Sequence, residues 1–475
     1  MNIQTVQFPH ILETRDLAAL NDFLSSTAFV ISHKSESIDT LLRVLWYIPV
    51  NSTIIIVTNC QENKREDLAD ALKTRLADHR RTYLIHQKDL HIAHLFKATG
   101  VPQILGKDGK VRNGKGEGMY IGALAAHLLS YLRWVIFYDA DNFVPSALLE
   151  YTFAMCRLFT GVPQPTPFNN LYDSLVTQSS YPALANASPH SASQNDKGDY
   201  YTHRQNTPDL HNVRICWSSK PDMKNLNLET RVLGRTSKVV SPLFDDLLEG
   251  WFGTQSDPIS SSNAGEQGMT LKTATTLRFS SGFSIETFQL IDLLSRAAVR
   301  QDKSGEVVFQ QYLSKSPHFH EKKGDRHIKK MIEESLGCFY YFENALPDKL
   351  KIHLQQVYDE LHLKRIEPIV YPPLQDLPLE HVSVSMDTYA IFPVTVEFPG
   401  DALLNQPGME VDSPTLLTSD LTYPQLLLTD VAEPDLLLVD ASSQNLLTID
   451  VPSPDLLLAD INHQDVLAND FLIAD

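Results

Sequence analysis

The segment RWVIFYDADNFVPSALLEY, residues 133–151, joins an apolar run to two carboxylates. Residues 134–138 are aromatic and β-branched, a composition typical of a buried strand. Asp139 and Asp141 follow at once, where that strand would leave the core. In open parallel sheets, ligands bind beyond the carboxyl ends of the strands. The segment therefore predicts a strand that presents two negative charges at a binding edge.

Strand-like and helix-like patterns alternate through the first third of the chain. Strands are predicted over 28–32, 52–59 and 82–88 because these residues are apolar and mostly β-branched. Between the first two, apolar residues recur at helical spacing, at Ile38, Leu41, Leu42 and Leu45. Further helices are predicted over 63–80 and 116–132. This alternation predicts an α/β fold with a mostly parallel central sheet and helices on both faces.

Charge is distributed unevenly along the 475 residues. The formal net charge is −18, and 14 acidic residues but no Lys or Arg follow residue 400. The acidity is therefore a property of the tail, and the rest of the chain is close to neutral. Such a body can still hold a local basic pocket for an anionic substrate. This distribution of charge predicts that the protein binds neither nucleic acid nor a membrane surface.

Cysteine usage and hydropathy indicate the class of protein. The four cysteines show no Cys-x-x-Cys spacing, so free thiols are expected rather than disulfides or a zinc site. No run approaches the roughly 18 apolar residues of a membrane helix, and no signal-peptide pattern is present at the N-terminus. The sequence therefore predicts a soluble cytoplasmic protein.

Two stretches differ from the rest in composition. Residues 161–211 are rich in Pro, Ser, Asn and Gln and lack periodicity, which predicts a disordered insertion. The tail repeats a decapeptide, as in PQLLLTD, PDLLLVD and PDLLLAD, ending at Asp430, Asp440 and Asp460. Its prolines interrupt any helix. An interaction tail with an unknown partner and a tandem expansion without function are both compatible with this repeat.

A strand that ends in Asp-x-Asp suits a metal-dependent nucleotide-sugar transferase of the GT-A type. Carboxylate oxygens bind Mg²⁺ or Mn²⁺, and the cation neutralises the diphosphate of the leaving group. A helix N-cap in a surface turn is the alternative for the same triplet. The α/β context favours the transferase.

Three further clusters carry polar groups suited to such chemistry. VRNGKGEGM, residues 111–119, places three glycines around Lys115 before a helix, a pattern that suits phosphate binding. SSNAGEQGM, residues 261–269, contributes Asn263 and Glu266 beside two glycines, for hydroxyl recognition or a tight turn. SPHFHEKKGDRH, residues 316–327, holds His320 as an imidazole ligand or belongs to a polar surface turn.

The ordered set of motifs resembles the mannosyl-3-phosphoglycerate synthase family over roughly residues 28–380. The matching motifs are HQKD (86–89), RNGKGEGM (112–119), DADN (139–142), VRICW (213–217), GRTS (234–237), NAGEQGM (263–269), SGFSIE (281–286) and PHFHEKKGDRHI (317–328). Members are retaining GT-A glycosyltransferases that move mannose from GDP-mannose to the C2 hydroxyl of 3-phosphoglycerate with a divalent metal. The resemblance implies the same fold, substrates and Mg²⁺ or Mn²⁺ here.

The resemblance also implies residue roles. Asp141 and His320 would bind the metal, Asp139 would hold the ribose or assist the metal, and Lys115 would lie near the diphosphate. Asp139, Asp141 and Lys115 are thus the expected catalytic set, without an assigned base. Glu36, Asn263 and Glu266 are further expected donor-binding residues.

Arg112, Arg214 and Arg235 are the expected acceptor-binding residues, because a small trianion is well matched by guanidinium groups. A surface or structural ion pair is the alternative for each arginine.

The chain departs from the family pattern at two places. The turn after the first predicted strand keeps Glu36 but lacks the family's Asn and Pro, and Gln267 replaces a His. A glucosyl-3-phosphoglycerate synthase, or another nucleotide-sugar transferase, is the alternative among enzymes. An inactive homologue that acts as an interaction protein is the alternative outside them. The sequence leaves a homodimer open.

These observations divide the chain into five predicted segments. They are an N-terminal extension (1–27), a nucleotide-sugar-binding half (28–160), the insertion (161–211), an acceptor-binding and metal-site half (212–395) and the acidic repeat tail (396–475).

Overall fold

A nine-stranded sheet forms the centre of the computed structural model. The structure describes residues 2–8, 17–76, 81–142, 144–161, 210–217, 219–222, 227–230, 234–253, 257–299, 307–319, 324–380, 382–385, 392–393 and 395–397. The strands are β1 (Asn2–Val6), β2 (Thr27–His33), β3 (Thr53–Thr58), β4 (Arg81–His86), β5 (Trp134–Asp139), β6 (Leu210–Trp217), β7 (Ser219–Asp222), β8 (Asn227–Thr230), β9 (Gln267–Thr270), β10 (Phe279–Ser280), β11 (Val307–Ser314), β12 (Val370–Tyr371), β13 (Ser383–Ser385), β14 (Phe392–Pro393) and β15 (Thr395–Glu397).

Eleven α-helices accompany these strands in the described part of the chain. They are α1 (Leu17–Ser25), α2 (Ile38–Trp46), α3 (Arg65–Arg75), α4 (Leu90–Ala98), α5 (Lys115–Leu128), α6 (Pro145–Thr160), α7 (Ser237–Phe252), α8 (Leu271–Thr276), α9 (Ile285–Val299), α10 (Asp325–Tyr341) and α11 (Asp348–Glu360). Among these described helices, none is both long enough and apolar enough to cross a bilayer.

The central sheet is mostly parallel, as predicted. Its strand order is β1-β11-β6-β9-β5-β2-β3-β4-β14, and β9 runs antiparallel to β6 and to β5. The chain passes from β2 to β3 and β4 on one side, and then returns to place β5 on the other side of β2. A crevice forms at such a change of direction, beyond the carboxyl ends of the strands. Ser32 is paired with Asp139 at this point.

Alternate residues of β2 pack against helices on opposite faces of the sheet. Phe29 and Ile31 belong to an apolar cluster with residues of α2, α3 and α6. Ala28 and Val30 belong to a second cluster with residues of α4 and α5. Successive side chains of a strand point to opposite faces, so burial on both faces explains the continuous apolar run. A third cluster joins α7, α9, α10 and α11 to β11.

Several predicted segment boundaries differ from the structure. The predicted N-terminal extension contributes β1, which pairs with β11, and α1. Leu210 and His211 lie in β6, so the predicted insertion ends two residues too late. The prediction of disorder concerns residues 162–209, which lie outside the described residues, as do residues 398–475 of the tail. Free cysteines were predicted correctly, with Cys60 partly exposed and the other three buried.

Phe8→Ala tests whether the N-terminal residues belong to the core. Phe8 is 2% exposed, its ring centroid lies 5.7 Å from that of Tyr312, and the Arg157 guanidinium lies 4.3 Å from it. We expect the free energy of unfolding to fall by about 3 kcal/mol in urea denaturation, because truncation leaves a cavity. Val50→Ala, at a half-exposed side chain, is the control and should change it by about 0.5 kcal/mol or less. A loss below about 1 kcal/mol at Phe8 would contradict this packing.

Candidate active site

Polar side chains line the carboxyl edge of β2, β3, β4 and β5. His33 is paired in register with Thr58, and Thr58 with His86, at the ends of three neighbouring strands. The His33 Nδ1 and Thr58 Oγ1 atoms lie 2.9 Å apart. Asp139 ends β5 beside them. The predicted position of Asp139 at the end of a strand, with Asp141 two residues beyond it, is therefore confirmed, and ligand binding at this edge stays a prediction.

The Lys115 ammonium group is bonded to two carboxylates at this edge. Its Nζ donates to Asp139 Oδ1 and, at 2.6 Å, to Glu286 Oε1. Burial lowers the pKa of Lys115, but the two carboxylates outweigh it and raise this pKa above its ordinary value. Lys115 is thus a partly buried cation held by residues 24 and 171 positions away in the chain.

The loop before β9 approaches this ion pair with its backbone. A Cβ atom on Gly265 would overlap Asp139 Oδ2 and lie 2.8 Å from Lys115 Nζ. Every other residue type has that atom, so glycine is required if both ions keep their positions. The glycines of the NAGEQGM motif therefore include one with a direct steric role in the site.

Glu266 is buried behind the two aspartates. Only 1% of the residue is exposed, and burial together with the nearby Asp139 charge raises the pKa of Glu266 to about 8. Burial and the neighbouring carboxylates therefore favour the protonated form of this carboxyl group. Asn142 Nδ2 lies 3.5 Å from Glu266 Oε1. His318 Nδ1 lies 4.0 Å from the same oxygen.

The glycines around Lys115 pack against the chain itself. A Cβ on Gly116 would overlap Ser280 O, one on Gly114 would overlap the Glu117 carboxylate, and one on Gly118 would lie 3.2 Å from Ser32 Oγ. The prediction that this pattern suits phosphate binding stays a prediction, and the structure shows a packing reason for the glycines. They allow the start of α5 to lie against residues 280–282, and this contact places Lys115.

Gln87 holds the segment that precedes α5. Its Nε2 donates to Arg112 O at 2.6 Å and to Gly114 O at 3.2 Å, and the residue is 2% exposed. Gln87 lies in the HQKD motif, to which sequence analysis gave no role. The structure shows that this motif orders the backbone that leads to Lys115.

The three candidate acceptor arginines differ in their environments. Arg214 is fully buried and donates to Ser261 O and Ser262 O at 3.2 Å and to Glu286 O at 2.5 Å. Its Nη1 and Nη2 groups donate to backbone carbonyls, and burial lowers its pKa to about 10. These contacts are structural, and direct binding of the acceptor by Arg214 stays a prediction.

Arg112 and Arg235 are more accessible than Arg214. Arg112 is half-buried, and its Nε donates to Gln103 O at 3.1 Å. Arg235 is exposed just before α7, with Nη1 3.0 Å from Asp325 Oδ1.

A small cleft lies between the end of β6 and the start of α7. Its lining includes Trp217, Gly234, Ser237, Ser260, Ser261 and Asn263. The Trp217 ring stacks on His318 with centroids 4.1 Å apart and an interplanar angle of 10°. Arg235 follows Gly234 directly, so a cation and a helix N-terminus adjoin the cleft.

Two predicted donor-binding residues make contacts within the protein. The Asn263 amide donates to Thr287 Oγ1 at 2.9 Å and to Ser335 Oγ at 2.7 Å. Glu36 Oε2 accepts from Lys34 N at 2.8 Å and from Ser35 N at 3.1 Å. Glu36 thereby orders the turn in which the family's Asn and Pro are absent. The other departure, Gln267, is fully buried in β9.

Carboxylate oxygens are the metal donors that this edge offers. Asp139 and Asp141 are both partly exposed, and such oxygens suit a hard cation such as Mg²⁺ or Mn²⁺. Within the residues the structure describes, no group of three or more His, Cys, Asp or Glu side chains is arranged to hold a metal. The predicted ligand His320 lies outside the described residues. The donor chemistry therefore fits a hard cation at Asp141.

Glu286 lies in the SGFSIE motif but was not predicted to be a site residue. Glu286 lies in the first turn of α9 and is 2% exposed. An acidic residue in a first turn usually only complements the helix dipole. A signal for its role was present in the sequence, since a glutamate within a mostly apolar helix is expected to be buried. A buried carboxylate requires a partner.

A family model described as mannosyl-3-phosphoglycerate synthase matches residues 4–386. The mannosyl-3-phosphoglycerate synthase of Pyrococcus furiosus is 29% identical over 338 residues, which cover 68% of this chain and 74% of that protein. The enzyme of the same name from Aeropyrum pernix is 26% identical over 336 residues, covering 69% and 75%. Glucosyl-3-phosphoglycerate synthase from Mycobacterium tuberculosis, solved with phosphoglyceric acid, aligns with a TM-score of 0.41 and 14% identity over 78% of this chain and 98% of that one.

Gly265→Ala tests the close approach of the loop to the ion pair. We expect the free energy of unfolding to fall by about 1–3 kcal/mol, because neither ion can move without weakening the pair. Gly324→Ala is the matched control, since nothing lies within 4 Å of its added atom, and it should cost less than about 1 kcal/mol. Equal stabilities of the two variants in chemical denaturation would contradict the geometry.

Proposed function

Because the chain belongs to the mannosyl-3-phosphoglycerate synthase family of glycosyltransferases, we propose that it transfers mannose from GDP-mannose to the C2 hydroxyl of 3-phosphoglycerate with retention. The observation that carries the site assignment is the Lys115 ammonium group between Asp139 and Glu286 at the carboxyl edge of the sheet. It is a preorganised cation beside exposed carboxylates, at the crevice where this fold class binds ligands. The family match supports the reaction.

The donor site is proposed at this edge. Lys115 has three N–H donors, of which two are used by Asp139 and Glu286, so one can bind a diphosphate oxygen. Asp139 would hold the ribose or assist the metal, and Glu266 and Asn263 lie behind them. Asp141, with His320 as the family resemblance implies, would hold Mg²⁺ or Mn²⁺. When bound, the cation would supply neutralisation of the charge that develops on the departing GDP.

The acceptor site is proposed in the cleft beside Trp217. Arg235 and the N-terminus of α7 adjoin it, and both favour an anion such as the phosphate or carboxylate of 3-phosphoglycerate. Arg112 lies on the segment just before Lys115 and is the second candidate. Arg214 would act indirectly, because it fixes the carbonyls of Ser261 and Ser262 along the cleft.

Incubation with sugar nucleotides tests the activity itself. Purified protein is mixed with 3-phosphoglycerate, Mn²⁺ and either GDP-mannose, GDP-glucose or UDP-glucose, and products are measured by mass spectrometry. We expect GDP-mannose to give mannosyl-3-phosphoglycerate and GDP at the highest kcat/KM, and chelator to abolish the reaction. Preference for a glucose donor would instead support a glucosyl-3-phosphoglycerate synthase. No transfer from any donor would support the inactive homologue.

Asp141→Ala and His320→Ala test the proposed metal ligands. Each is expected to lower kcat by about 10²–10³, the scale for loss of one preorganised electrostatic element. Asp70→Ala, at an exposed carboxylate on α3, is the control and should keep the wild-type rate. An imidazole ligand suits Mn²⁺, so Mn²⁺ should support at least the rate seen with Mg²⁺. A wild-type rate in His320→Ala would remove His320 from the site.

A further inference from the structure

The two carboxylates that bind Lys115 differ in exposure. The Asp139 side chain is 33% exposed, whereas the Glu286 side chain is 3% exposed. Asp139 also ends a strand and leads into a turn, so its carboxylate can reach a ligand in the crevice. Glu286 points inward from a helix and faces Lys115. The pair of acceptors is thus asymmetric, with one on the ligand side and one on the protein side of the ammonium group.

Glu286 is fixed in position by contacts around it. Its backbone carbonyl accepts from the buried Arg214 guanidinium at 2.5 Å. The next residue, Thr287, accepts from the Asn263 amide at 2.9 Å. These bonds join the first turn of α9 to β6 and to the loop that precedes β9. The backbone that carries the Glu286 carboxylate is therefore fixed, and the carboxylate itself is 3% exposed and bonded to Lys115.

Binding of a nucleotide would place two demands on Asp139. Under the proposed function, Asp139 turns toward the ribose or the metal, and its bond to Lys115 weakens. An unpaired ammonium group that is mostly shielded from water is costly, and it would move toward any other anion or toward solvent. Glu286 supplies a second carboxylate at 2.6 Å that needs no movement. The cation can thus stay in place while its outer partner changes.

We propose that Glu286 is a positioning residue that holds the Lys115 ammonium group when Asp139 turns to the metal-bound nucleotide, so that Lys115 directs an N–H to the diphosphate. The inference rests on the proposed function. It assigns Glu286 no contact with the reacting atoms.

A simple charge effect would have the opposite sign. Glu286 is an anion near the place where a diphosphate binds, so its neutralisation alone would strengthen diphosphate binding. If Glu286 acts by holding Lys115, its neutralisation leaves the ammonium group bonded to Asp139. Asp139 is then less available to the nucleotide or the metal, and Lys115 is less available to the diphosphate. Binding and turnover then fall. The direction of the change distinguishes the two accounts.

A double-mutant cycle tests the proposal. Glu286→Gln, Lys115→Met and the double variant are compared with the wild type in kcat/KM for GDP-mannose and in calorimetric affinity for GDP with Mn²⁺. We expect Glu286→Gln to lower both by about tenfold, and Lys115→Met to lower both further. In the Lys115→Met background, Glu286→Gln should change either value by less than about twofold, because its effect passes through Lys115.

Asp292→Asn is the control for loss of a buried carboxylate. Asp292 lies on the same helix, is fully buried and binds Arg278 and Arg296 away from Lys115. The Asp292→Asn substitution should lower Tm without changing kcat/KM, calculated per mole of folded protein. Should Glu286→Gln fail to fold, Glu286→Asp is used in the same cycle. It keeps the charge at a greater distance, and we expect it to lower kcat/KM only in the presence of Lys115.

If the wild type is active, the proposal would be overturned by additive effects of the two substitutions or by tighter GDP binding to the Glu286→Gln variant. Absence of transfer from GDP-mannose by the wild type would overturn the proposed function instead.

Discussion

The paired, partly buried Lys115 ammonium group is the constraint on which the site depends. A cation inside a protein must be paired, and Lys115 is paired with Asp139 and Glu286, which come from the end of β5 and the start of α9. Gly265 brings a third segment against the same atoms. Three distant parts of the chain therefore meet at one charge. Their convergence places preorganised charges at the carboxyl edge of β2 and β5, where we propose that the nucleotide binds.

The surrounding structure explains why these charges can be kept. Arg214 binds the carbonyls of Ser261, Ser262 and Glu286, and it thereby connects the β6 strand to the two segments that carry Gly265 and Glu286. Burial and the Asp139 charge raise the pKa of Glu266, which favours its protonated form. The edge thus combines the Lys115 cation with partly exposed carboxylates, which suits a diphosphate bound together with a divalent metal.

The local sequence pattern was sufficient to predict the parallel strands β2 to β5, but it did not predict β1 and β9. Residues 28–32 and 134–138 are apolar on both strand faces, a signal that does not depend on distant residues. By contrast, β1 and β9 have short, partly polar sequences, and their place follows from pairing with β11 and with β6 and β5. Arg214 was predicted to bind the acceptor, because no local feature of the sequence shows that its guanidinium group donates to three backbone carbonyls. Glu286 acquires its role only from contact with Lys115, 171 residues away.

The most direct measurement is a crystal structure of the protein with GDP and Mn²⁺. The account predicts that the diphosphate lies within hydrogen-bonding distance of Lys115 Nζ, that Asp139 has turned toward the nucleotide or the metal, and that Glu286 still binds Lys115. A diphosphate bound elsewhere, with Lys115 still bonded to both Asp139 and Glu286, would contradict it.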